Sequence, residues 1–196
     1  MSSDTKERIL YKALEIFSQK GFEGTNIREI SESLGLTKSV FYKHYKSKEE
    51  LWNSLLEHME NYYNMRFGSE QNLPPIPNSA ESFKELVLNM FNYTIHDEKV
   101  VMTRKILLIE QFHDERARIL ATKHFIFGLG SMFSKIFERM MENGILKSSD
   151  PNMLSFAFTT PISALVRLCD RQPEMEKEAA EKVQSFTEMF LRDHLA

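Results

Sequence analysis

The sequence predicts an all-α fold of about nine helices, in which an N-terminal helix-turn-helix precedes a larger helical body. Three observations support this prediction. Apolar residues recur at helical spacing along most of the 196 residues, capping residues stand where these patterns begin, and no run of alternating β-branched residues indicates a sheet. An apolar content of 42% is enough for a substantial core in one or two domains.

The first predicted helix spans about residues 5–20. Four apolar residues recur at the spacing of one helix face, namely Ile9, Ala13, Ile16 and Phe17. We therefore expect this face to be buried. Gly21 follows the pattern, and glycine readily adopts the left-handed backbone that ends a helix.

Residues 25–48 contain two short helical patterns that meet at Gly35. The first pattern begins at Asn26, a favourable N-cap, and Glu29 stands at the position that completes a capping box. Its apolar face contains Ile27, Ile30 and Leu34. Glycine at position 35 suits the left-handed backbone of a helix end, so we expect the chain to turn there.

The second short pattern begins after Thr37, a suitable cap, and extends to about Tyr45. Ser47 and Glu50 form another predicted capping box, which opens a longer helix over residues 48–67. Two short helices joined by a tight turn form a helix-turn-helix. This motif places its second helix in the major groove of DNA.

The rest of the chain is also predicted to be helical. Residues 68–79 are the clearest linker, because three prolines in four positions exclude a helix. Five further helical patterns follow, separated by Asp, Asn-Gly and Pro. They lie near residues 79–95, 97–112, 114–143, 150–171 and 174–194.

The second short helix carries side chains that suit DNA binding. If Phe41 and Tyr45, four residues apart, point inward, the opposite face is free. That face carries Lys38, Ser39, Tyr42, Lys43 and His44. Their side chains can form hydrogen bonds with phosphate oxygens or base edges. Lys48 lies in the first turn of the next helix, where backbone amides already favour a phosphate. The alternative is a solvated charged hairpin, which the combination of caps, glycine and basic aromatic face disfavours.

The segment from Ile9 to Trp52 resembles the N-terminal DNA-binding region of TetR/AcrR-type transcriptional regulators. The resemblance covers about a quarter of the chain and rests on Ala13, Phe17, Gly21, Thr25, Arg28, Ile30, Gly35, Phe41, Tyr42, Tyr45, Lys48, Glu50 and Leu51. It implies a helix-turn-helix domain over residues 1–47 and a ligand-binding and dimerisation domain over residues 48–196. It also implies a homodimer whose affinity for DNA is controlled by a small ligand in the body.

Carried over residue by residue, the resemblance implies a DNA-facing set. This set is Thr25, Arg28, Thr37, Lys38, Ser39, Tyr42, Lys43, His44 and Lys48. Many relatives have glycine or proline in the region where this chain has Lys38, Ser39 and Val40, so the operator sequence does not transfer. The expected partners are a near-palindromic double-stranded DNA operator, a second copy of the chain and an unidentified small-molecule effector.

The last two predicted helices carry apolar faces that need burial. The resemblance places the dimer interface on these helices. The predicted interface residues are Leu154, Phe158, Ile162, Leu165, Val183, Phe186 and Phe190. Periodicity alone leaves an intramolecular core open as the alternative.

The central helices are rich in Phe and Met, and methionine adapts to irregular apolar spaces. The resemblance implies a ligand pocket among these helices. The candidate pocket residues are Phe91, Met102, Phe112, Phe127, Met132 and Phe133. Ordinary core packing is the alternative for each of them.

Charge and processing signals point to a protein of the cytoplasm. Residues 1–48 carry nine Lys or Arg against six Asp or Glu, whereas the remainder carries sixteen against twenty-two. A mildly basic head would be attracted to DNA in a salt-sensitive manner. The N-terminus lacks a signal-peptide core, and the longest uncharged run is too short for a membrane span. With Cys169 as the single cysteine, an internal disulfide and a Cys-rich zinc site are excluded.

An enzyme is the main class to weigh against a regulator. Glu110 and His113 have the spacing of di-iron ligands, but such sites need a second copy of the motif, which the sequence lacks. The common catalytic and nucleotide-binding motifs are also missing, so we expect no catalysis, metal or cofactor. The sequence predicts a ligand-responsive transcriptional repressor. The alternatives are an activator, and a helical ligand- or partner-binding module without DNA recognition.

Overall fold

The computed structural model describes the backbone of residues 2–67 and 73–196, and within these ranges the chain is helical without a β-strand. The all-α prediction is therefore confirmed. The α-helices are α1 (Ser2–Lys20), α2 (Ile27–Ser33), α3 (Lys38–Tyr42), α4 (Lys48–Phe67), α5 (Ala80–His96), α6 (Glu98–Glu110), α7 (Glu115–Thr122), α8 (Leu129–Glu142), α9 (Pro151–Arg171) and α10 (Glu176–His194). Within the described ranges, no helix combines the length and apolar character needed to cross a membrane.

The chain divides into two compact units. The first unit consists of Met1–Asn64 and Glu98–Thr122, and the second consists of Met65–Asp97 and Lys123–Ala196. The first unit thus contains α1–α3, most of α4, and α6 and α7. The predicted boundary after residue 47 falls inside this unit, so a functional division at that point remains a prediction.

The core of the first unit forms where α1 meets its neighbours. Ile9, Ala13 and Phe17 are fully buried, as their spacing predicts. The Phe17 ring meets the Trp52 ring of α4 edge-on, with 5.5 Å between centroids. Gly21 ends α1 with a φ of 70°, the left-handed conformation that favours glycine.

The predicted caps of α2 and α4 form only in part. The Asn26 side chain accepts from the Glu29 amide at 2.9 Å. The Glu29 carboxylate, however, binds the Lys20 ammonium instead of returning to the cap. The start of α4 is similar, because the Glu50 amide donates to the Ser47 hydroxyl at 3.1 Å while the Glu50 carboxylate accepts from a different amide. An exposed carboxylate can choose between several donors, and spacing in the sequence does not decide which.

The third helix is shorter than predicted, since α3 ends at Tyr42 and not at Tyr45. Beyond Tyr42 the amides of His44 and Tyr45 both donate to the Phe41 carbonyl, at 2.9 and 3.1 Å. This shared acceptor closes the helix in a tight turn.

The second unit is built around a cluster of phenylalanine rings. Phe83 of α5 lies beside Phe137 of α8, Phe158 of α9 and Phe190 of α10, with ring centroids 5.3 to 6.2 Å apart. The helix predicted over residues 114–143 is interrupted, because a π-helical segment, Lys123–Gly128, separates α7 from α8. Of the predicted linker, residues 68–72 lie outside the described part of the chain, and residues 73–79 are not helical.

Candidate nucleic-acid interface

The exposed face of α3 is created by two aromatic residues that point the other way. Phe41 and Tyr45 are buried, with their ring centroids 6.0 Å apart, which confirms the predicted inward pair. Burial, together with the Glu50 carboxylate, raises the pKa of Tyr45 to about 12, so its phenol stays neutral at physiological pH. The outward side chains are exposed at four positions, Lys38, Ser39, Tyr42 and Lys43, whereas His44 is half-buried.

The turn before α3 is fixed by Gly35 and Thr37. Gly35 has a φ of 66°, and its amide donates to the Glu32 carbonyl at 3.0 Å. A Cβ at Gly35 would meet nothing within 4 Å, so the backbone conformation alone requires glycine here. The exposed Thr37 side chain accepts from the Val40 amide at 3.4 Å and shares a hydrogen bond of 2.9 Å with the Ser39 hydroxyl. Both hydroxyls therefore stand at the N-terminus of α3.

Arg28 extends the exposed face onto α2. Its guanidinium donates to the Glu32 carboxylate at 2.6 Å, and both side chains are exposed. An exposed ion pair of this kind contributes little to stability, so a phosphate can replace Glu32 at little cost. An open groove between α2 and α3 is lined by Arg28, Ser31, Glu32, Leu36, Thr37 and Lys38.

Thr25 and Lys48, two residues of the predicted DNA-facing set, are engaged inside the first unit. Thr25 is only 2% exposed, and its hydroxyl donates to the Gly21 carbonyl at 2.8 Å. The Lys48 ammonium donates to the carbonyls of Phe22 at 2.9 Å and Thr25 at 3.1 Å. It also lies 4.2 Å from the centroid of the Phe22 ring. The Phe22 carbonyl also accepts from the Thr25 amide at 3.3 Å, so the lysine joins a turn that is already hydrogen-bonded. The sequence carries no signal for this lysine contact.

Two carboxylates that the sequence analysis did not assign to this region also hold it. Glu110, at the end of α6, accepts from the Phe22 amide at 2.7 Å. Asp114 accepts from the Trp52 indole at 3.1 Å and from the Ala117 amide at 2.7 Å, so it also caps α7. His113 is exposed in the turn after α6, where its backbone amide donates to the Glu110 carbonyl at 2.9 Å. Among the described residues there is no cluster of His, Cys, Asp or Glu that could hold a metal ion.

The predicted ligand-pocket residues belong to both units, so this set stays a prediction. Met102 and Phe112 belong to the first unit, where Phe112 is 83% exposed, and Phe127 of the second unit is also exposed. The second unit contains a small apolar cavity of about 30 Å³. Its lining residues are Val87, Met90, Phe91, Thr94, Leu129, Phe133, Thr159, Ile162, Ser163 and Val166. Only Phe91 and Phe133 of the predicted set line it, while Met132 is buried in the surrounding core.

The predicted interface residues are also mostly internal. Leu154, Phe158, Val183 and Phe190 are buried in the core of the second unit, and Ile162, Leu165 and Phe186 pack against that core. The prediction was wrong because α9 has apolar residues on both sides. Its outward side carries Met153 and Phe156, each 62% exposed, together with the exposed Ala157, Thr160 and Ala164.

The N-terminal residues match a known protein family. Residues 9–55 match the family described as "Bacterial regulatory proteins, tetR family". This match contains α2, α3 and the first part of α4. It therefore covers the face described above.

Individual relatives agree with this match. The biofilm operon icaADBC HTH-type negative transcriptional regulator IcaR of Staphylococcus epidermidis is 38% identical over 58 residues, which are 30% of this chain and 31% of that protein. A TetR/AcrR-family regulator of Aquifex aeolicus has a TM-score of 0.68 and 25% identity, covering 94% of this chain and 98% of that chain. SmeT, the repressor of the Stenotrophomonas maltophilia multidrug efflux pump SmeDEF, has a TM-score of 0.72 in its complex with triclosan, with 18% identity and coverage of 98% and 92%.

The curated relatives match over part of their length. The chain spans between 24% and 50% of the length of three curated relatives that it matches. The solved structures are matched almost end to end, but SmeT, at 18% identity, is evidence for the fold alone. These relatives are described as transcriptional regulators, and none of their descriptions is that of an enzyme.

Proposed function

We propose that this chain, a member of the TetR/AcrR family of bacterial regulators, is a homodimeric transcriptional repressor that a small molecule releases from DNA. The observation that carries the proposal is the face of α3. Burial of Phe41 and Tyr45 leaves Lys38, Tyr42 and Lys43 exposed on a helix that follows a tight glycine turn. That is the geometry of a recognition helix. Repression is preferred to activation because IcaR and SmeT are described as a negative regulator and a repressor.

The chemistry of the face suggests a division of tasks. Lys38 and Lys43 are free ammonium groups that can neutralise phosphates or approach a guanine edge. Tyr42 offers a hydroxyl and an apolar ring, and Thr37 and Ser39 place hydroxyls at the start of α3, where the helix dipole also favours a phosphate. In this proposal Thr25 and Lys48 are not contact residues, because they are engaged in supporting the turn before α2.

A homodimer follows from the outward side of α9. Met153 and Phe156 are exposed on this side beside small residues, which allow close approach of another helix. Met189 of α10 is also exposed. We propose that these residues, and not the buried set, form the contact between two copies. Binding of a dimer to two half-sites in successive major grooves requires the two α3 helices to lie about 34 Å apart, one turn of DNA.

The dimer is tested by placing a charge on the proposed interface. Phe156→Glu should shift the mass measured by sedimentation from dimer to monomer, because a carboxylate cannot be desolvated there without a partner. Phe112→Glu is the matched control, since Phe112 is an exposed phenylalanine of the first unit. A dimeric Phe156→Glu variant would contradict this interface.

The cavity of the second unit supports a neutral, mainly apolar effector. Its lining has no charged side chain, and the Thr94 and Thr159 hydroxyls already donate to the Met90 and Ser155 carbonyls at 2.7 and 2.8 Å. A charged ligand would lose its hydration without compensation. At about 30 Å³ the space holds about one water molecule, so the core must open to admit an effector. Calorimetry with triclosan and with benzoate tests whether the effector is apolar or anionic. Tighter binding of benzoate, the carboxylate, would contradict an apolar effector.

DNA binding is tested on the region upstream of the chain's own gene by fluorescence anisotropy. Replacing Lys38 and Lys43 with Ala should abolish specific binding. It should also lower the salt dependence of the remaining DNA binding by up to about four units of slope, because a homodimer loses four ammonium groups. The control replaces the exposed Lys105 and Lys177 with Ala, which changes the net charge equally. Circular dichroism and dimer mass should stay unchanged in both variants. Equal losses in the two variants would mean that α3 does not read DNA.

A further inference from the structure

We infer that Glu110 is a positioning residue for DNA recognition, because its carboxylate holds the turn from which α2 and α3 start. This inference rests on the proposed function, since it concerns the affinity for an operator. Glu110 belongs to α6 and lies 88 residues from its partner along the chain. Its spacing from His113 in the sequence suggested only a metal ligand.

The contact joins a buried carboxylate to a single backbone amide. Glu110 is 5% exposed, and its Oε1 accepts from the Phe22 amide at 2.7 Å. The Phe22 carbonyl in turn accepts from the Lys48 ammonium at 2.9 Å. An anion from α6 and a cation from α4 therefore bind the two backbone polar groups of one turn residue. Hydrogen bonds to charged groups are stronger and shorter than those between neutral groups.

Gly21 shows how closely the carboxylate approaches the turn. A Cβ built on Gly21 would lie 2.6 Å from Glu110 Oε1, which is less than van der Waals contact. Gly21 also has a φ of 70°, so two independent constraints require glycine. The backbone here is shaped to receive the carboxylate of Glu110.

The turn leaves little freedom between this contact and the DNA-facing helices. Residues 22–25 connect Gly21 to Asn26, the cap of α2. The Thr25 hydroxyl donates back to the Gly21 carbonyl at 2.8 Å, which fixes the far end of the turn. Release of Phe22 would therefore move the start of α2, and α3 packs on α2. A displacement of the turn becomes a displacement of the recognition face.

Two conservative variants separate the reach of the side chain from its charge. Glu110→Asp keeps the charge but is one methylene too short to meet the Phe22 amide. Glu110→Gln loses the charge but keeps a carbonyl oxygen at the same reach. The matched control is Glu115→Asp, an exposed carboxylate on α7 whose only described partner is Arg118.

The first readout is hydrogen exchange of the Phe22 amide, measured by NMR without DNA. The second is the ratio of operator affinity to non-specific DNA affinity, measured well below the melting temperature. Glu110→Asp should speed the exchange and lower the affinity ratio about tenfold each, as expected for loss of a charge-assisted hydrogen bond. Glu110→Gln should stay within about threefold of the wild type in both readouts, because it keeps the acceptor. The Glu115→Asp control should change neither.

Several results would overturn the inference. Unchanged Phe22 exchange in Glu110→Asp would mean that the contact is absent in solution. Faster exchange with an unchanged affinity ratio would reduce Glu110 to a stabilising residue. If Glu110→Asp does not fold, hydrogen exchange in the wild-type protein tests the contact instead. A Phe22 amide that exchanges as fast as the neighbouring Glu23 amide would show that Glu110 does not bind it. A wild type that binds no operator would instead refute the proposed function, and this result is recognised before any variant is made.

Discussion

The contacts that stabilise the interior of the first unit differ in kind from those that stabilise the interior of the second. In the first unit, charged side chains bind backbone groups at helix ends, as Glu110 and Lys48 do at Phe22. In the second unit, phenylalanine rings from four helices pack against one another, with Phe158 and Phe190 only 4.6 Å apart. Among the described residues, the buried charged side chains are Arg104 and Glu110, and both belong to the first unit.

The difference matches what each unit has to do in the proposed function. A hydrogen bond is directional, so bonds to a turn fix the position of the helix that follows it. Ring contacts are less directional and allow several packings of similar energy, which suits a core that must open around an effector. The position of the helices in the first unit thus depends on a few polar atoms. The shape of the core in the second unit depends on the volume of its side chains.

The largest expected effect tests the aromatic core. Phe158→Ala should lower the free energy of unfolding by about 3–5 kcal/mol, because it leaves a cavity where five other phenylalanine rings now meet. Phe156→Ala, on the exposed side of the same helix, should change it by less than about 0.5 kcal/mol in a monomeric background. Urea denaturation measures both. Similar losses would mean that the two sides of α9 are not distinct.

A smaller effect is expected from the polar contacts of the first unit. Lys48→Met keeps the length of the side chain but removes the ammonium donor from the carbonyls of Phe22 and Thr25, which should cost about 1.5 kcal/mol. The Phe22 carbonyl would keep only the weaker bond from the Thr25 amide. Lys38→Met should leave the unfolding free energy unchanged and weaken DNA binding, because Lys38 is exposed. The two lysines therefore separate stability from recognition. A Lys48→Met variant as stable as the wild type would remove Lys48 from the supporting network.

Helix caps allow the two units to be compared with the same chemistry. Asn26 caps α2 by accepting from the Glu29 amide, and Ser79 caps α5 by accepting from the Ser82 amide at 3.1 Å. Replacing either residue with Ala should cost about 1 kcal/mol. Only the Asn26 variant should also lower operator affinity in anisotropy measurements, since α2 carries α3. An equal loss of affinity in both variants would argue against separate roles.

The smallest expected effect is a pH dependence in the first unit. Burial and the nearby Lys99 ammonium lower the pKa of His58 below its ordinary value of 6.5. The unfolded chain therefore takes up a proton before the folded one, and stability should fall as the pH drops below about 6.5. His58→Gln should remove this part of the pH dependence in thermal melts between pH 5 and 7.5. An unchanged profile would assign the dependence to other groups.

Sequence reasoning was most successful where structure is determined locally. The buried pair Phe41 and Tyr45, the left-handed Gly35 and the cap at Thr37 depend on neighbours within a few residues, and all three were predicted. The hydrogen bonds of Lys48 could not be predicted because its partners are backbone carbonyls more than twenty residues away, and backbone groups leave no trace in a sequence. The same holds for Glu110, whose partner is the distant backbone amide of Phe22.

The faces of the second unit could not be predicted from periodicity. The spacing of Leu154 and Phe158 shows that they need burial, but it does not say whether their own chain or another copy covers them. Because α9 is apolar on both sides, the wrong side was assigned to the interface. The unit to which Met102 and Phe112 belong could not be predicted either, since that assignment depends on contacts between distant segments.

The five residues of α3 are far fewer than the roughly 12–15 that an isolated helix needs in water. A synthetic peptide copying residues 37–46 should consequently be a random coil, with no ability to compete for promoter DNA. Transfer of α3 to another protein would also require α2 and the residues that pack around Phe41 and Tyr45. In the proposed function, the readout of bases therefore depends on the interior of the domain, and engineering of new sequence preferences must leave Phe41 and Tyr45 unchanged.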